Sequence, residues 1–400
     1  IACRNSNTYS SIETVKILLD QPDIDINKQD KDGWTALMYA CAYSNKDSNI
    51  ETVKLLLDQP NIDINKEDKK EWTALMMACR NSNTNSNVET VKLLLDQLNI
   101  NINKEAKGGW TALMVACRYS NKESNIDTVK LLLNHFDIDI NKENGKGWTA
   151  FIFACRFSNK DSNVETVKLL LNSPNIEINK PKEDGNIALM TACTYSNTDS
   201  NIETVKLLLN SPNIDINWQD KVGWTTLMHV CANSNTNSNI ETVKLLLENP
   251  NIDINKENEK GWTALMYACR VSNKDSSIET VKLLLNRPNI DINKENEKGW
   301  TALMMACRYS NADSNIETVK LLLSQPNIDI NKPNKGGWTA LMMACRYSNI
   351  DSNIETVRLL LSHPNININK ENDMGWTSLM IVCKYCDTHS NVETMKLLLN

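Results

Sequence analysis

Residues 34–71 read WTALMYACAYSNKDSNIETVKLLLDQPNIDINKEDKKE, and this stretch contains the pattern that decides the fold. Its first part has a helical period, and Thr35 is a residue type that caps helix N-termini. The apolar positions of this part stand at i, i+3 and i+4 and are Leu37, Ala40 and Cys41. The pattern predicts a short helix from Thr35 to about Tyr43 with one buried face.

A second helix is predicted after a polar loop. Ser48 and Glu51 have the spacing of a capping box, in which each side chain binds the backbone amide of the other residue. The buried face of this helix would consist of Ile50, Val53, Leu56 and Leu57. Pro60 would end the helix, with Asn61 in the left-handed conformation that often follows a helix. The remaining residues, 62–71, are predicted to form an extended finger with a charged tip.

The whole sequence repeats with a period of 38 residues. Two of the segments, residues 262–299 and 300–337, are identical at 29 of 38 positions. The tryptophans of the repeat are Trp34, Trp72, Trp110, Trp148, Trp224, Trp262, Trp300, Trp338 and Trp376. A helix pair of this length cannot bury its own apolar face, whereas a stack of copies can.

The periodicity therefore predicts one domain over residues 1–400, an all-α solenoid of about eleven stacked helix-turn-helix repeats with short β-hairpin-like fingers. The first repeat is truncated and neither end has a polar capping repeat, so we expect a fragment of a longer array. The repeat near residues 186–223 is degenerate. Asn186 and Ile187 replace the Trp and the Thr, and Pro181 enters the finger, so a softer joint is predicted there.

Composition and motifs argue against several classes of function. The chain has 43 basic and 49 acidic residues, and a net charge of -6 disfavours a protein whose whole surface binds nucleic acid. No apolar run is long enough to span a membrane. The four histidines do not follow the repeat, and there is no Gly-rich phosphate loop and no hydrolase or zinc-protease motif. We therefore expect no enzymatic activity and no cofactor.

The cysteines follow the same period and occupy one position of the first helix in each repeat. Neighbouring helices pack about 8–10 Å apart, which exceeds the separation of about 7 Å that a disulfide allows between Cα atoms. The cysteines are therefore predicted to be small buried apolar residues in a reducing, intracellular compartment. Cys383, Cys386 and His389 have the spacing of metal ligands but lack a second pair, so we predict no metal site.

These residues resemble the ankyrin repeat family. The family pattern Gly-x-Thr-Pro-Leu-His-x-Ala corresponds to residues 33–40, and its later motifs Val-x-x-Leu-Leu and Asp-Val-Asn correspond to residues 53–57 and 63–65. The family repeat usually has about 33 residues, and most of the additional residues here fall between the two helices. Ala36 replaces the family's Pro and Met38 its His, so the Thr-to-His hydrogen bond is absent. The Asn-rich, near-identical repeats resemble arrays of giant viruses of amoebae or of some protists.

The resemblance also implies where partners bind, because the first helices and finger tips of ankyrin arrays line a concave groove. The nine tryptophans named above correspond to one groove position. A basic groove position is occupied by Arg80, Arg118, Arg156, Arg270, Arg308 and Arg346. The next position is aromatic and includes Tyr43, Tyr119, Tyr309 and Tyr347. These residue types dominate binding hot spots, although the tryptophans could instead only pack between repeats, with arginines stacked on them.

The resemblance implies an intracellular, monomeric scaffold for protein–protein interaction, in the cytoplasm of a host cell if the source is viral. Its partner would be an extended segment with acidic and apolar residues. A single-stranded nucleic-acid track is an alternative, because rings and arginines also bind bases, but the net charge argues against it. A mechanical spacer, or an array that delivers a domain outside this fragment, remains a further alternative.

Overall fold

The computed structural model describes residues 9–43, 47–81, 85–119, 124–158, 161–195, 199–233, 237–271, 275–309, 313–347, 351–385 and 389–399. Within these ranges the chain contains 21 α-helices. Helices of seven residues, which we call first helices, alternate with helices of 10–12 residues, which we call second helices. None of the 21 has both the length and the apolar character that a membrane-crossing helix requires.

The helix bounds are as follows in chain order: α1 (Tyr9–Leu19), α2 (Ala36–Ala42), α3 (Asp47–Leu57), α4 (Ala74–Arg80), α5 (Asn85–Leu95), α6 (Ala112–Arg118), α7 (Ser124–Leu133), α8 (Ala150–Arg156), α9 (Asp161–Leu171), α10 (Ala188–Thr194), α11 (Asp199–Leu209), α12 (Thr226–Ala232), α13 (Asn237–Glu248), α14 (Ala264–Arg270), α15 (Asp275–Leu285), α16 (Ala302–Arg308), α17 (Asp313–Leu323), α18 (Ala340–Arg346), α19 (Asp351–Leu361), α20 (Ser378–Lys384) and α21 (His389–Leu399). Even-numbered helices are first helices, and odd-numbered helices are second helices.

The chain forms two compact units, one of residues 1–192 and 199–214 and the other of residues 193–198 and 215–400. In the first compact unit, α2, α4, α6 and α8 pack in series, and the second helices from α1 to α11 form a parallel series. In the second compact unit, the first helices from α12 to α20 and the second helices from α13 to α21 do the same. Each compact unit is therefore a two-layer helical solenoid, as the sequence predicts.

The buried faces agree with the helical period of the sequence. Leu37 is 1% exposed, and Cys41 and Val53 are fully buried. Met38, which the period does not assign to the core, is also fully buried. Burial of an aliphatic side chain of this size contributes about 1.5–3 kcal/mol relative to exposure. The stack of repeats is therefore held together chiefly by the apolar faces of its helices.

The predicted cap of the first helix is confirmed. Thr35 Oγ1 accepts a hydrogen bond from the Met38 amide at 3.3 Å, and the corresponding bond recurs at 3.2–3.5 Å from Thr73 to Thr377. The Met that replaces the family's His also takes part, because its Sδ accepts from the Thr35 amide at 3.4 Å. Equivalent thioether contacts occur at Thr225 and Thr339.

Both ends of the second helix differ from the prediction. The helix α3 begins at Asp47, so Ser48 lies in its first turn instead of preceding it. Its side chain and loop residues 44–46 lie outside the described residues. At the other end, the left-handed conformation predicted for Asn61 is wrong, since Glu71 and Asn175 are the described non-glycine residues with positive φ. The Gln59 amide instead donates to Leu56 O at 3.3 Å, a tighter turn that needs no left-handed residue.

The fingers are turns rather than β-hairpins. In the described ranges the β-pairing consists of two isolated bridges, Ala106 with Trp110 and Gln219 with Thr225. Side-chain amides connect successive fingers instead: Asn65 Nδ2 donates to Asn99 O at 2.7 Å, and Asn65 Oδ1 accepts the Asn101 amide at 2.8 Å. The side chain thus provides the donor and acceptor that a strand backbone would provide, and an extended hairpin is not needed. The asparagines that make both bonds are Asn27, Asn65, Asn103, Asn141, Asn217, Asn255, Asn293 and Asn331.

Candidate functional site

A geometry that recurs from one finger tip to the next fixes the backbone position of each tryptophan. Gly33 has φ +85°, and a Cβ added there would lie 2.7 Å from the backbone nitrogen of Lys69 in the next finger. The Trp34 amide donates to Asp30 Oδ1 at 2.9 Å, and the Asp30 amide donates to Trp34 O at 3.0 Å. The tip therefore fixes the tryptophan backbone, while all nine tryptophan side chains are half-buried.

The acceptor residue four positions before the tryptophan was not predicted from the sequence. A short acceptor at a fixed offset from a glycine is a recognisable turn signal, and it could have revealed this role. The acceptors that bind the Trp amide are Asp30, Asp68, Asn144, Asp220, Asn258, Asn296, Asn334 and Asn372. Ala106 and Lys182 occupy the position in the other two fingers.

The structure brings the predicted Trp, Arg and Tyr side chains together in the second compact unit. The guanidinium carbon of Arg308 lies 5.1 Å from the ring centroid of Trp300, 5.3 Å from that of Tyr309 and 5.4 Å from that of Tyr347. Tyr347 belongs to the next repeat and is shared with Arg346, whose guanidinium carbon lies 5.6 Å from it. We call the resulting series the second ladder, and its cations are Arg270, Arg308, Arg346 and Lys384.

The first compact unit contains a shorter series, the first ladder, whose cations are Arg80, Arg118 and Arg156. Arg80 lies 5.6 Å from the Tyr119 ring, and Arg118 lies 5.0 Å from the ring of Phe157. Arg80 and Arg118 therefore each contact an aromatic ring of the following repeat, whereas Arg156 contacts Trp148 and Phe157 of its own repeat. Cation–π contacts of this kind contribute about 0.5–1 kcal/mol at exposed sites, so the ladders stabilise the repeats as well as presenting charge.

Some predicted residues lie outside both ladders. The arginine position is occupied by Ala42 beside Trp34 and by Ala232 beside Trp224. The Trp34 ring packs on Tyr39 at 4.9 Å, and Tyr43 is 37% exposed.

Further ring contacts fall at a position that the sequence analysis did not assign to the site. Phe153 stacks on Trp110 at 4.5 Å and on Trp148 at 4.9 Å. Tyr267 contacts Trp224 at 4.2 Å and Trp262 at 5.0 Å. These rings bridge the tryptophans of successive repeats, so inter-repeat packing accounts for part of the tryptophan pattern.

Charge neutralisation differs between the ladders and the bases of the fingers. At the finger bases, lysines pair with glutamates of the preceding finger, as in Lys104 with Glu67 at 2.9 Å and Lys332 with Glu295 at 3.0 Å. The hydrogen bond that the Lys104 ammonium donates to the Glu67 carboxylate raises the pKa of Lys104. By contrast, five ladder arginines have no carboxylate within 4.0 Å among the described residues: Arg80, Arg118, Arg270, Arg308 and Arg346.

Open hollows lie between successive tryptophans beside the ladders. The hollow between Trp34 and Trp72 has a volume of about 610 Å³ and includes the finger-tip residue Lys70 in its wall. The hollow between Trp262 and Trp300 has a volume of about 350 Å³, and its lining residues include Arg270, Arg308, Lys298 and Tyr309. Asp32 and Asp68 also line the first hollow and Glu297 the second, but basic residues outnumber acidic ones in both. Each hollow therefore combines aromatic walls with an excess of positive charge, which suits a side chain with a carboxylate or an apolar group.

The cysteines are free thiols in the described part of the chain. Those from Cys41 to Cys345 are buried as predicted, and burial raises the pKa of Cys41 and its counterparts. Cys383 is exposed, so the prediction of burial is wrong there, because no described helix covers its side of α20. Cys386 lies outside the described residues. Among those that are described, no three His, Cys, Asp or Glu side chains are grouped as metal ligands.

A family profile matches successive segments along the whole series of repeats. The family profile "Ankyrin repeats (3 copies)" matches residues 1–68, 42–144, 122–220, 198–296, 238–334, 270–372 and 311–400. No curated protein matches the sequence. The solved ankyrin repeat protein EF0377 is 24% identical, with a TM-score of 0.47 over 56% of this chain and 99% of its own.

A second solved structure, an ankyrin repeat domain from Acinetobacter baumannii AYE, is 26% identical, with a TM-score of 0.43 over 53% of this chain and 95% of its own. The family assignment rests on the profile, whose matches together extend over the described helices of both compact units. The chain belongs to the ankyrin repeat family.

Proposed function

We propose that the protein is an interaction scaffold that binds a segment of a protein partner along its ladders. Ankyrin repeats are generally protein–protein interaction modules. The observation that carries this proposal is the series of arginines beside aromatic rings, five of which have no carboxylate within 4.0 Å among the described residues. Aromatic residues and arginine supply most of the energy at binding hot spots. The free, buried cysteines support a reducing, intracellular compartment.

A single-stranded nucleic-acid track is the second candidate, favoured by the same cations. Binding of this kind relies on bases that stack on open aromatic faces. The half-buried ring of Tyr347 already has two cations close to it, with Arg308 at 5.4 Å and Arg346 at 5.6 Å from its centroid, and a stacked base would have to compete with them. This arrangement favours a protein partner over nucleic acid.

The test is a capture experiment from cell extract with the 400-residue chain as bait. The ladder variant carries Arg308→Ala, Tyr309→Ala, Arg346→Ala and Tyr347→Ala. The control variant carries Arg287→Gln and Arg358→Gln, which remove the same charge from positions outside the ladders. Circular dichroism first establishes that all three proteins have equal helicity.

We expect a partner protein that is retained by the original chain and the control and is lost from the ladder variant. A partner that the ladder variant retains equally well contradicts the proposal. Capture of RNA or single-stranded DNA in place of protein, with a steep dependence on salt, supports the second candidate.

A further inference from the structure

The second ladder also defines the chemistry and spacing of its partner, an inference that rests on the proposed function. We propose that the bound segment is an extended peptide with a carboxylate side chain at every third residue. Each carboxylate would bind one cation of the second ladder, in the order Arg270, Arg308, Arg346 and Lys384.

The spacing follows from the rings that successive cations share. The centroid of Tyr309 lies 5.7 Å from the guanidinium carbon of Arg270 and 5.3 Å from that of Arg308, so the two carbons are at most about 11 Å apart. The same limit holds for Arg308 and Arg346, which share Tyr347. Helices that pack side by side lie about 8–10 Å apart, which sets the lower end of the spacing. A chain in the polyproline II conformation advances about 3.1 Å per residue with three residues per turn, so every third side chain lies on the same face, about 9 Å from the previous one. Every third side chain of the bound peptide would therefore lie opposite one cation of the second ladder.

The chemistry follows from what each guanidinium already contacts. The guanidinium carbon of Arg308 lies 5.1–5.4 Å from the centroids of three rings. The N–H donors of a guanidinium lie at the edge of its plane. Carboxylates bind that edge with two parallel hydrogen bonds. No described carboxylate lies within 4.0 Å of Arg308. The hollow beside Arg270 and Arg308 is also lined by Lys260 and Lys298 and by one carboxylate, that of Glu297, so positive charge is in excess there. An acidic side chain is the group that complements this excess.

The chain itself confines this binding mode to particular repeats. Thr194 and Ala232 stand at the arginine position in two successive repeats, so they provide no cation there. The second ladder is the longer series with four cations, and the first ladder has three. A peptide with four spaced carboxylates should therefore bind the second ladder in a single register.

The test compares two labelled peptides of the same composition and charge, measured by fluorescence anisotropy with the 400-residue chain. One peptide has four glutamates, each three residues after the previous one, in a background of serine and alanine. The isomer has the four glutamates in one uninterrupted run. We expect the spaced peptide to bind at least about tenfold more tightly, because only its carboxylates meet all four cations at once.

Two variants test whether the peptide binds at the second ladder. Arg308→Ala places at this position the residue that Ala42 and Ala232 already provide in other repeats, so the fold should tolerate it. We expect this substitution to lower the affinity for the spaced peptide by about tenfold. Arg287→Gln is the matched control, because Gln21, Gln59 and Gln325 occupy the corresponding position. It should leave the affinity unchanged.

Equal affinity for the two peptides, or an affinity that Arg308→Ala does not alter, overturns the proposed spacing. Tighter binding of a single-stranded oligonucleotide of equal charge overturns the choice of an acidic peptide. If neither peptide binds while the capture experiment still yields a ladder-dependent protein, this inference fails and the proposed function stands.

Discussion

At the residue scale, a single carboxylate or amide side chain organises the finger tip in eight of the fingers. Asp30 Oδ1 accepts the amides of Asp32 at 2.8 Å and Trp34 at 2.9 Å, and its Oδ2 accepts the Tyr39 hydroxyl at 2.6 Å. The Tyr39 hydrogen bond, followed by that of the Trp34 amide, lowers the pKa of Asp30. The charged form of Asp30 is therefore the form that holds the tip together.

Tyr39→Phe is expected to raise the pKa of Asp30 towards its unfolded value of about 3.9. Because the folded pKa lies below the unfolded one, the stabilising contribution is present above the unfolded pKa. It is lost as the pH falls through the folded pKa. In the variant the contribution is smaller and its loss is complete at a higher pH. Carboxyl NMR titration measures the shift, Tyr43→Phe is the control, and an unchanged Asp30 titration would contradict the assignment.

Glu71 stands where the other finger tips have glycine, and its φ of 62° is left-handed. This conformation destabilises the folded state by about 1–2 kcal/mol for an L-residue. A glycine avoids that strain but increases the entropy of the unfolded chain, which lowers the stability of the folded state by about 0.4–1 kcal/mol. Glu71→Gly should therefore stabilise the protein by about 0.5–1 kcal/mol. Urea denaturation measures the change. Glu71→Ala removes the same charge but keeps the strain, and an equal gain in that variant would refute the backbone explanation.

At the element scale, the fingers act as a lateral ribbon that joins one repeat to the next. The Asn255 side chain donates to Asn289 O at 2.7 Å and accepts the Asp291 amide at 2.8 Å. Backbone bonds add to this, for example from the Glu297 amide to Lys260 O at 3.0 Å. The helices provide the apolar contacts, whereas the fingers fix the register between neighbouring repeats.

Asn255→Ala is expected to loosen this ribbon locally. Water can solvate the two exposed backbone groups that lose a partner, so the loss of stability should be modest, about 1 kcal/mol. The Asp291 amide should also exchange its hydrogen faster. Asn286→Ala is the control, because its corresponding residues include Asp58 and Ser324. Unchanged exchange at Asp291 would show that the amide bridge does not hold the finger.

At the scale of the whole molecule, each repeat is coupled to its neighbours alone, so a local defect weakens a stack at one place. The finger at residues 181–187 has such a defect. Lys182 replaces the tip acceptor and forms an ion pair with Asp184 instead, while it also lies 5.1 Å from the Trp148 ring. The division of the chain into two compact units begins shortly after this finger.

We expect the amides of residues 182–186 to exchange faster than those of the corresponding finger at residues 296–300. Lys182→Asn restores the acceptor that Asn144 supplies to Lys146 and Trp148. It should slow exchange at Asp184, with a gain of about 0.5–1.5 kcal/mol per net hydrogen bond. Glu183→Gln serves as a charge-change control. Uniform exchange across both fingers in the original chain would remove the case for a softer joint.

The sequence by itself determined the repeat, the two helices, the buried faces and the threonine caps. It also placed the glycines of the finger tips. These features depend on periodicity and on residues only a few positions apart, such as Thr35 and Met38. Sequence periodicity failed for the fingers, which it read as hairpins, because side-chain amides replace the strand ladder.

Only the tertiary structure decided which groups meet across repeats. The pairing of Lys104 with Glu67, the bridge from Asn65 to Asn99 and the sharing of Tyr347 by two arginines all join residues 34–39 positions apart. Such contacts depend on how neighbouring repeats are shifted against each other, and that shift is set by packing of the whole helix layer. The sequence therefore supplied the residues of the ladders, and the stacking of the repeats decided which rings of neighbouring repeats each arginine contacts.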